Sequence, residues 1–247
     1  MTRNLHFSLI AFLRARLSPT GYMGLHLTLG VFCLIGAGWL FGSIAEDVVT
    51  ADQITLIDAQ IAQWLHVNAT PVFIRFMLVV THLHGTLGIL GLSLLTAVFF
   101  RYKKHWYWLL TLVIAVPGGL LVNVLLKHVF QRVRPIFDDP FLTLATYSFP
   151  SGHTAGATLF YGILAAYFVC HTTSWRWRIL IVFPAALLIV LVGLSRMYLG
   201  VHYLSDVLAA IAASSAWLAF SLTAISTLRR HKAMRHGQRS ASGGNTA

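Results

Sequence analysis

Long apolar stretches separated by short polar turns occupy most of this chain, and their length is the first constraint on its fold. Residues 22–43, 84–101, 107–128, 152–171, 179–195 and 203–226 each approach the roughly 20 residues that an α-helix needs to cross the hydrocarbon of a bilayer. The pattern predicts an all-α membrane protein, a bundle of six transmembrane helices. Between the first two spans Ile54, Ile57, Ile61, Trp64 and Leu65 recur at helical spacing among polar residues. That spacing predicts a short amphipathic helix lying in the membrane interface. Pro71 opens a further apolar stretch to about Val80, which a six-span scheme does not use, so 44–83 has no firm position. The first span is too long for the apolar core of a signal peptide and is expected to be retained. After Gly237 the chain is rich in Ser, Gly and Asn, the composition of a disordered tail. Residues 1–236 therefore read as one integral membrane domain, followed by a disordered segment over 237–247.

Composition agrees with a membrane setting. Only 10% of the 247 residues are charged and 57% are hydrophobic, whereas a soluble domain carries about 25% charged residues. A net charge of +11 would suit a nucleic-acid binder, but the cations are placed as topology determinants instead, which excludes nucleic acid as the expected partner. Thirteen of the 18 Lys and Arg residues lie before the first span, in the turns at 101–104 and 175–178, or after the last span. The first group is Arg3, Arg14 and Arg16, and all seven acidic residues fall on the other side. This asymmetry predicts cytoplasmic N- and C-termini. Cys33 lies mid-span and Cys170 near a span end, a depth mismatch that predicts no disulfide.

Three segments at the outer span ends carry the candidate chemistry. In the first, Lys127 is followed after six residues by Arg134-Pro135. Pro135 stops the helix, while the guanidinium fork can grip two phosphate oxygens and the lysine adds a mobile point charge. Cations snorkelling to lipid headgroups are the plain alternative, and Arg132 is assigned that role. The second segment, Pro150-Ser151-Gly152-His153, opens the fourth span. Ser151 suits an N-cap, the free N–H groups of the helix start favour an anion, and Gly152 permits close backbone approach. His153 falls in the first turn. In the third, Ser195-Arg196 precedes His202 by five residues, and Asp206 follows His202 at i+4, on one helix face. A carboxylate there can accept the Nδ1 proton and leave Nε2 as a nucleophile. A shared metal ion is the rival for that pair, disfavoured by repulsion from Lys127, Arg134 and Arg196.

The three segments together resemble the signature of the type 2 phosphatidic acid phosphatase superfamily: Lys-x6-Arg-Pro, Pro-Ser-Gly-His and Ser-Arg-x5-His-x3-Asp, with every position filled. The resemblance implies a metal-independent hydrolase of a lipid phosphate or diphosphate, with no cofactor. By the same resemblance His202 attacks phosphorus to form a phosphohistidine and Asp206 orients it. His153 protonates the leaving oxygen and then activates water. Lys127, Arg134, Arg196, Ser151 and Gly152 hold the phosphate. The short-looped chain is similar to bacterial undecaprenyl-diphosphatases and phosphatidylglycerophosphatases. This implies a multi-pass protein of the bacterial inner membrane with its active site at the periplasmic, extracytoplasmic face. Undecaprenyl diphosphate is the first substrate choice; phosphatidylglycerophosphate, phosphatidate and lipid A are the alternatives. An anion-binding transporter is the rival of another class, although no internal repeat supports it. His82 and His84 lie on the site side without an assigned role, and the oligomeric state is open.

Overall fold

The structure, a computed structural model, describes residues 25–243, with side chains described from Leu27 to Met234. Arg3, Arg14, Arg16 and the start of the first predicted span lie outside the described residues, as do 244–247. The described residues form eight helices: α1 (Leu25–Val49), α2 (Gln53–Val67), α3 (Pro71–Leu83), α4 (Thr86–Tyr102), α5 (Trp106–Phe130), α6 (Gly152–Cys170), α7 (Trp175–Tyr198) and α8 (Leu204–Gly243). They contain no strand. Helix α8 continues past Gly237, where the composition predicted a disordered tail.

Five helices (α1, α5, α6, α7 and α8) are long and apolar enough to cross a membrane. Helix α4, with 17 residues, rises about 25 Å and falls just short of the bilayer core. Its contacts nonetheless carry it through the full depth of the bundle. At its start, Gly85 lies beside His153 of α6. Near its end, Phe100 packs on Trp108 and Tyr167, with ring centroids 6.5 and 4.9 Å apart. That far end also gathers His105, which meets the Tyr167 hydroxyl at 3.0 Å, and His171, stacked on His105. The turns carrying Lys103, Lys104, Arg176 and Arg178 therefore share one end of the bundle, and the three motif segments share the other.

Helices α2 and α3 meet at a bend of 119°. Asp52 caps α2 by accepting from Gln53 N–H at 2.6 Å, and Pro71 starts α3 at the position where its missing N–H costs nothing. The buried residues of α2 are Asp58, Ala62 and Leu65, at i, i+4 and i+7 on one face. The helix forms where the apolar spacing predicts it, with Ile57 and Trp64 exposed and a carboxylate, which that spacing did not single out, pointing inward.

Small residues set how closely α5, α6 and α8 approach. A Cβ on Gly119 would stand 2.5 Å from Leu159 Cδ1 and 2.9 Å from the Trp217 ring, and Trp217 Nε1 donates to Ala115 O at 3.1 Å. The indole is therefore held against the glycine and cannot easily yield. Around it Ile89, Phe100, Leu112, Val116, Leu159 and Ile163 form the main buried cluster. By contrast, Phe32 and Trp39 of α1 are 70% and 74% exposed, which suits an apolar solvent rather than water. Gly119→Val should cost about 1–3 kcal/mol through overpacking, measured as a lower thermal midpoint in detergent. An unchanged midpoint would mean that this three-helix contact is looser than described.

Candidate active site

Two left-handed residues deliver the motif side chains to one place. Helix α5 ends at Gln131, whose φ of 46° turns the chain sharply and leads Arg132 and Arg134 back toward the bundle. Between α7 and α8, Gly200 has φ of 69°, where a Cβ would also meet the Phe137 ring at 3.0 Å. Glycine suits both demands. This short turn sets Arg196, in the last turn of α7, near His202, which lies just before α8, and Asp206, in the first turn of α8.

His202 is 2% exposed and Asp206 fully buried. The imidazole Nδ1 lies 3.2 Å from Asp206 Oδ2, and a carboxylate can only accept, so Nδ1 carries the proton. Nε2 is then the lone-pair nitrogen, and Arg134 Nη1 donates to it at 3.2 Å. Burial, with Arg134 and Arg196 acting in the same sense and Asp206 against them, pushes His202 down to about 3. The imidazole therefore stays neutral at ordinary pH.

Asp206 is held on every side. Its Oδ2 also accepts from Ser148 Oγ and from Tyr203 N–H at 2.9 Å. Its Oδ1 accepts from Arg132 Nη1 at 2.7 Å. Arg132, expected to snorkel toward lipid, is instead half-buried and held in ion pairs. Its Nη2 reaches Asp58 Oδ2 at 2.8 Å and its guanidinium sits 4.4 Å over the Tyr203 ring. Burial alone would lower its pKa, but Asp206 and Asp58 more than offset that and hold it above its usual value.

The other cations lack carboxylate partners. Lys127 Nζ donates to Tyr147 O and Ser148 O at 2.6 and 3.1 Å. Arg134 donates to Thr146 O at 2.7 Å, to Tyr147 O at 3.1 Å and to Val201 O. Arg196 is 1% exposed; its Nη1 bonds Thr81 Oγ1, while Nε and Nη2 are buried without a partner. Leaving charged donors unsatisfied costs upwards of about 1–3 kcal/mol each, and such groups call for a missing acceptor. An anion of several oxygens supplies one.

Gly152 sits in a narrow gap, where a Cβ would lie 3.3 Å from Asn123 Oδ1 and 3.9 Å from Lys127 Cε. Ser151 occupies the N-cap position but makes no side-chain cap bond. Its Oγ accepts from Thr154 Oγ1 at 3.0 Å, and its N–H donates to Asp206 O at 3.0 Å. The His153 side chain makes no hydrogen bond to another described residue, which leaves both ring nitrogens available. His84 is buried and donates from Nδ1 to Val80 O, so its Nε2 accepts from Tyr161 O–H at 2.7 Å. His82 is exposed.

All eight residues singled out from sequence thus lie at the same end of the bundle. Arg132, Asp58, Ser148, Thr81 and Tyr203 were missed. For Asp58 the available signal was its place on the α2 face shared with Ala62 and Leu65. For Arg132 it was only proximity to Arg134. A cavity of about 520 Å³ opens toward the opposite end, lined by Cys33, Trp108, Cys170 and Arg229 among others, and no histidine or carboxylate lines it.

Fold and site define a multi-pass membrane protein with a cluster of cations around a histidine–carboxylate pair. Known proteins support the fold and show the family. The sequence pattern described as the PAP2 superfamily matches residues 84–230, more than half of the chain, and the chain belongs to that family of lipid phosphatases. It is 33% identical over 172 residues to phosphatidylglycerophosphatase B of Bacillus subtilis (strain 168), covering 69% of this chain and 84% of that protein. It is 32% identical over 130 residues to an undecaprenyl-diphosphatase of Sulfolobus acidocaldarius, covering 51% and 58%. The crystal structure of a transmembrane PAP2-type phosphatidylglycerolphosphate phosphatase from Bacillus subtilis superposes with a TM-score of 0.70. That match has 29% identity and covers 77% of this chain and 94% of the other. Aquifex aeolicus LpxE shares the fold, with a TM-score of 0.54 at 22% identity over 67% of this chain and 94% of its own.

The neutral burial of His202 has a consequence for stability. An unfolded imidazole titrates near 6.5, against about 3 in the fold. Between those values the unfolded chain binds a proton that the folded chain refuses, so stability falls as pH falls through the window. Going from about pH 7 to about pH 5 should cost about 2 kcal/mol through His202 alone. Thermal midpoints in detergent check this: the loss should be smaller by that amount in His202→Gln, and equal losses would contradict it.

Proposed function

We propose that the protein hydrolyses a lipid phosphate or diphosphate without a metal ion, through a phosphohistidine on His202, at the extracytoplasmic face of a bacterial inner membrane. The observation that supports this most directly is the group Lys127, Arg134 and Arg196, which has no carboxylate partner and surrounds a neutral imidazole with a proton fixed on Nδ1. Phosphoryl transfer needs its equatorial oxygens positioned and their charge stabilised, and these cations supply both. The Gly152 backbone and Ser151, at the start of α6, border the same space.

In this reading Nε2 attacks phosphorus while His153 gives its proton to the departing lipid oxygen. The imidazole becomes cationic as the bond forms, and Asp206 stabilises that charge through Nδ1–H. His153, now neutral, takes a proton from water, whose oxygen attacks the phosphohistidine. Phosphate leaves and Nε2 recovers its lone pair. The basic residues at the opposite end support cytoplasmic termini and an outward-facing site.

The Bacillus relative, which shares more of its length with this chain than the Sulfolobus protein does, is named for phosphatidylglycerophosphate. That class of substrate now precedes undecaprenyl diphosphate, the choice suggested by the motif resemblance alone. Purified protein should be assayed for phosphate release from phosphatidylglycerophosphate, phosphatidate, undecaprenyl diphosphate and lipid A. At least one should be hydrolysed with activity surviving EDTA within about twofold, and His202→Ala should lower kcat by about a thousandfold or more. Full activity in His202→Ala would remove the nucleophile, and loss in EDTA would contradict the cation-only pocket.

A further inference from the structure

Asp58 is fully buried on α2, outside the residues 84–230 that match the family pattern. A buried carboxylate is costly unless paired and hydrogen-bonded. This one accepts from Ser205 N–H at 2.9 Å and from Arg132 Nη2 at 2.8 Å, and from the Ser205 hydroxyl. Arg132 in turn donates from Nη1 to Asp206 Oδ1 and to Ser205 Oγ, both at 2.7 Å. Two carboxylates, one hydroxyl and the Tyr203 ring thus fix one guanidinium. Its planar fork reaches both carboxylates at once, which a lysine ammonium does not reproduce.

The consequence falls on the nucleophile. With Oδ1 of Asp206 committed to Arg132, Oδ2 is left for His202 Nδ1–H, Ser148 and the Tyr203 N–H. Without Arg132, Oδ1 becomes a buried anionic oxygen without a partner, and the carboxylate turns to share its two oxygens among the three remaining donors. Without Asp58, Arg132 loses the anchor that aims Nη1.

We propose that Asp58 and Arg132 are positioning residues for the reaction: a carboxylate–guanidinium–carboxylate chain through which interfacial helix α2 fixes the alignment of the His202 nucleophile. Neither touches the phosphate. The inference rests on the phosphatase reading above.

The test uses full-length protein in detergent with phosphatidylglycerophosphate as the probe. Asp58→Asn, which keeps shape and removes charge, should lower kcat roughly ten- to a hundredfold while KM stays within about twofold. Arg132→Lys should recover part of the loss caused by Arg132→Gln, and it carries the test if Asp58→Asn does not fold. In an Asp206→Asn background, Asp58→Asn should cause no further loss, because both act through one carboxylate. Losses that multiply in the double variant, or a change confined to KM, would overturn the proposal. So would an unaltered kcat in Asp58→Asn alongside an active wild type and an inactive His202→Ala. A wild type that releases no phosphate defeats the phosphatase reading with this lipid instead. The chain is then tested by ¹⁵N-histidine spectra: a single Nδ1–H tautomer for His202 in the wild type and a mixture in Asp58→Asn support it, and identical spectra overturn it.

Discussion

Four cations packed at the end of an apolar bundle repel one another, and each loses hydration on burial. Two carboxylates, Asp58 and Asp206, lie among Lys127, Arg132, Arg134 and Arg196, so positive charge remains in excess. Ion pairs buried this way are retained only with good geometry and satisfied hydrogen bonds. Arg132 meets that condition internally. Arg196 does not, since two of its guanidinium nitrogens are buried and unpaired. The asymmetry divides the cluster into a part paired within the protein and a part whose donors are left without a carboxylate, the part that the proposed function assigns to the phosphate.

The fold serves that division. Helices α5, α6, α7 and α8 bring motif residues to the same end of the bundle; the left-handed turn at Gln131 leads the long 131–151 connection back over that end, and the one at Gly200 keeps the α7–α8 connection short. The neutral, single-tautomer imidazole follows from burial against Asp206. The same burial that keeps His202 neutral, as the proposed nucleophile must be, makes the fold sensitive to acid, so the two properties share one cause.

Spans and motifs were legible in the sequence because both depend on local spacing. Twenty apolar residues specify a crossing, and the four-residue spacing of His202 and Asp206 keeps the pair together, although His202 precedes α8 and reaches Asp206 from the turn instead of sharing a helix face with it. Helix limits were less legible. Helix α1 continues through Glu46 and Asp47 to Val49, since polar residues at a membrane surface do not end a helix. Neither Gly nor Pro stops α8 before Gly243, despite the polar composition there. Pairing across the fold left no local trace: Asp58 and Arg132 stand 74 residues apart, and Arg132 read as a surface cation because its partners were out of sight. Ser148, which also holds Asp206, lies in a loop with no periodicity to betray it.

Orthovanadate offers the most direct test of the central claim, because it adopts the five-coordinate geometry of phosphoryl transfer. A structure of the protein soaked with it should show vanadium within bonding distance of His202 Nε2, with its oxygens on Arg196 Nε and Nη2, Arg134 and Lys127. Vanadium bound to His153, or bound elsewhere with those Arg196 nitrogens still unpaired, would contradict the account.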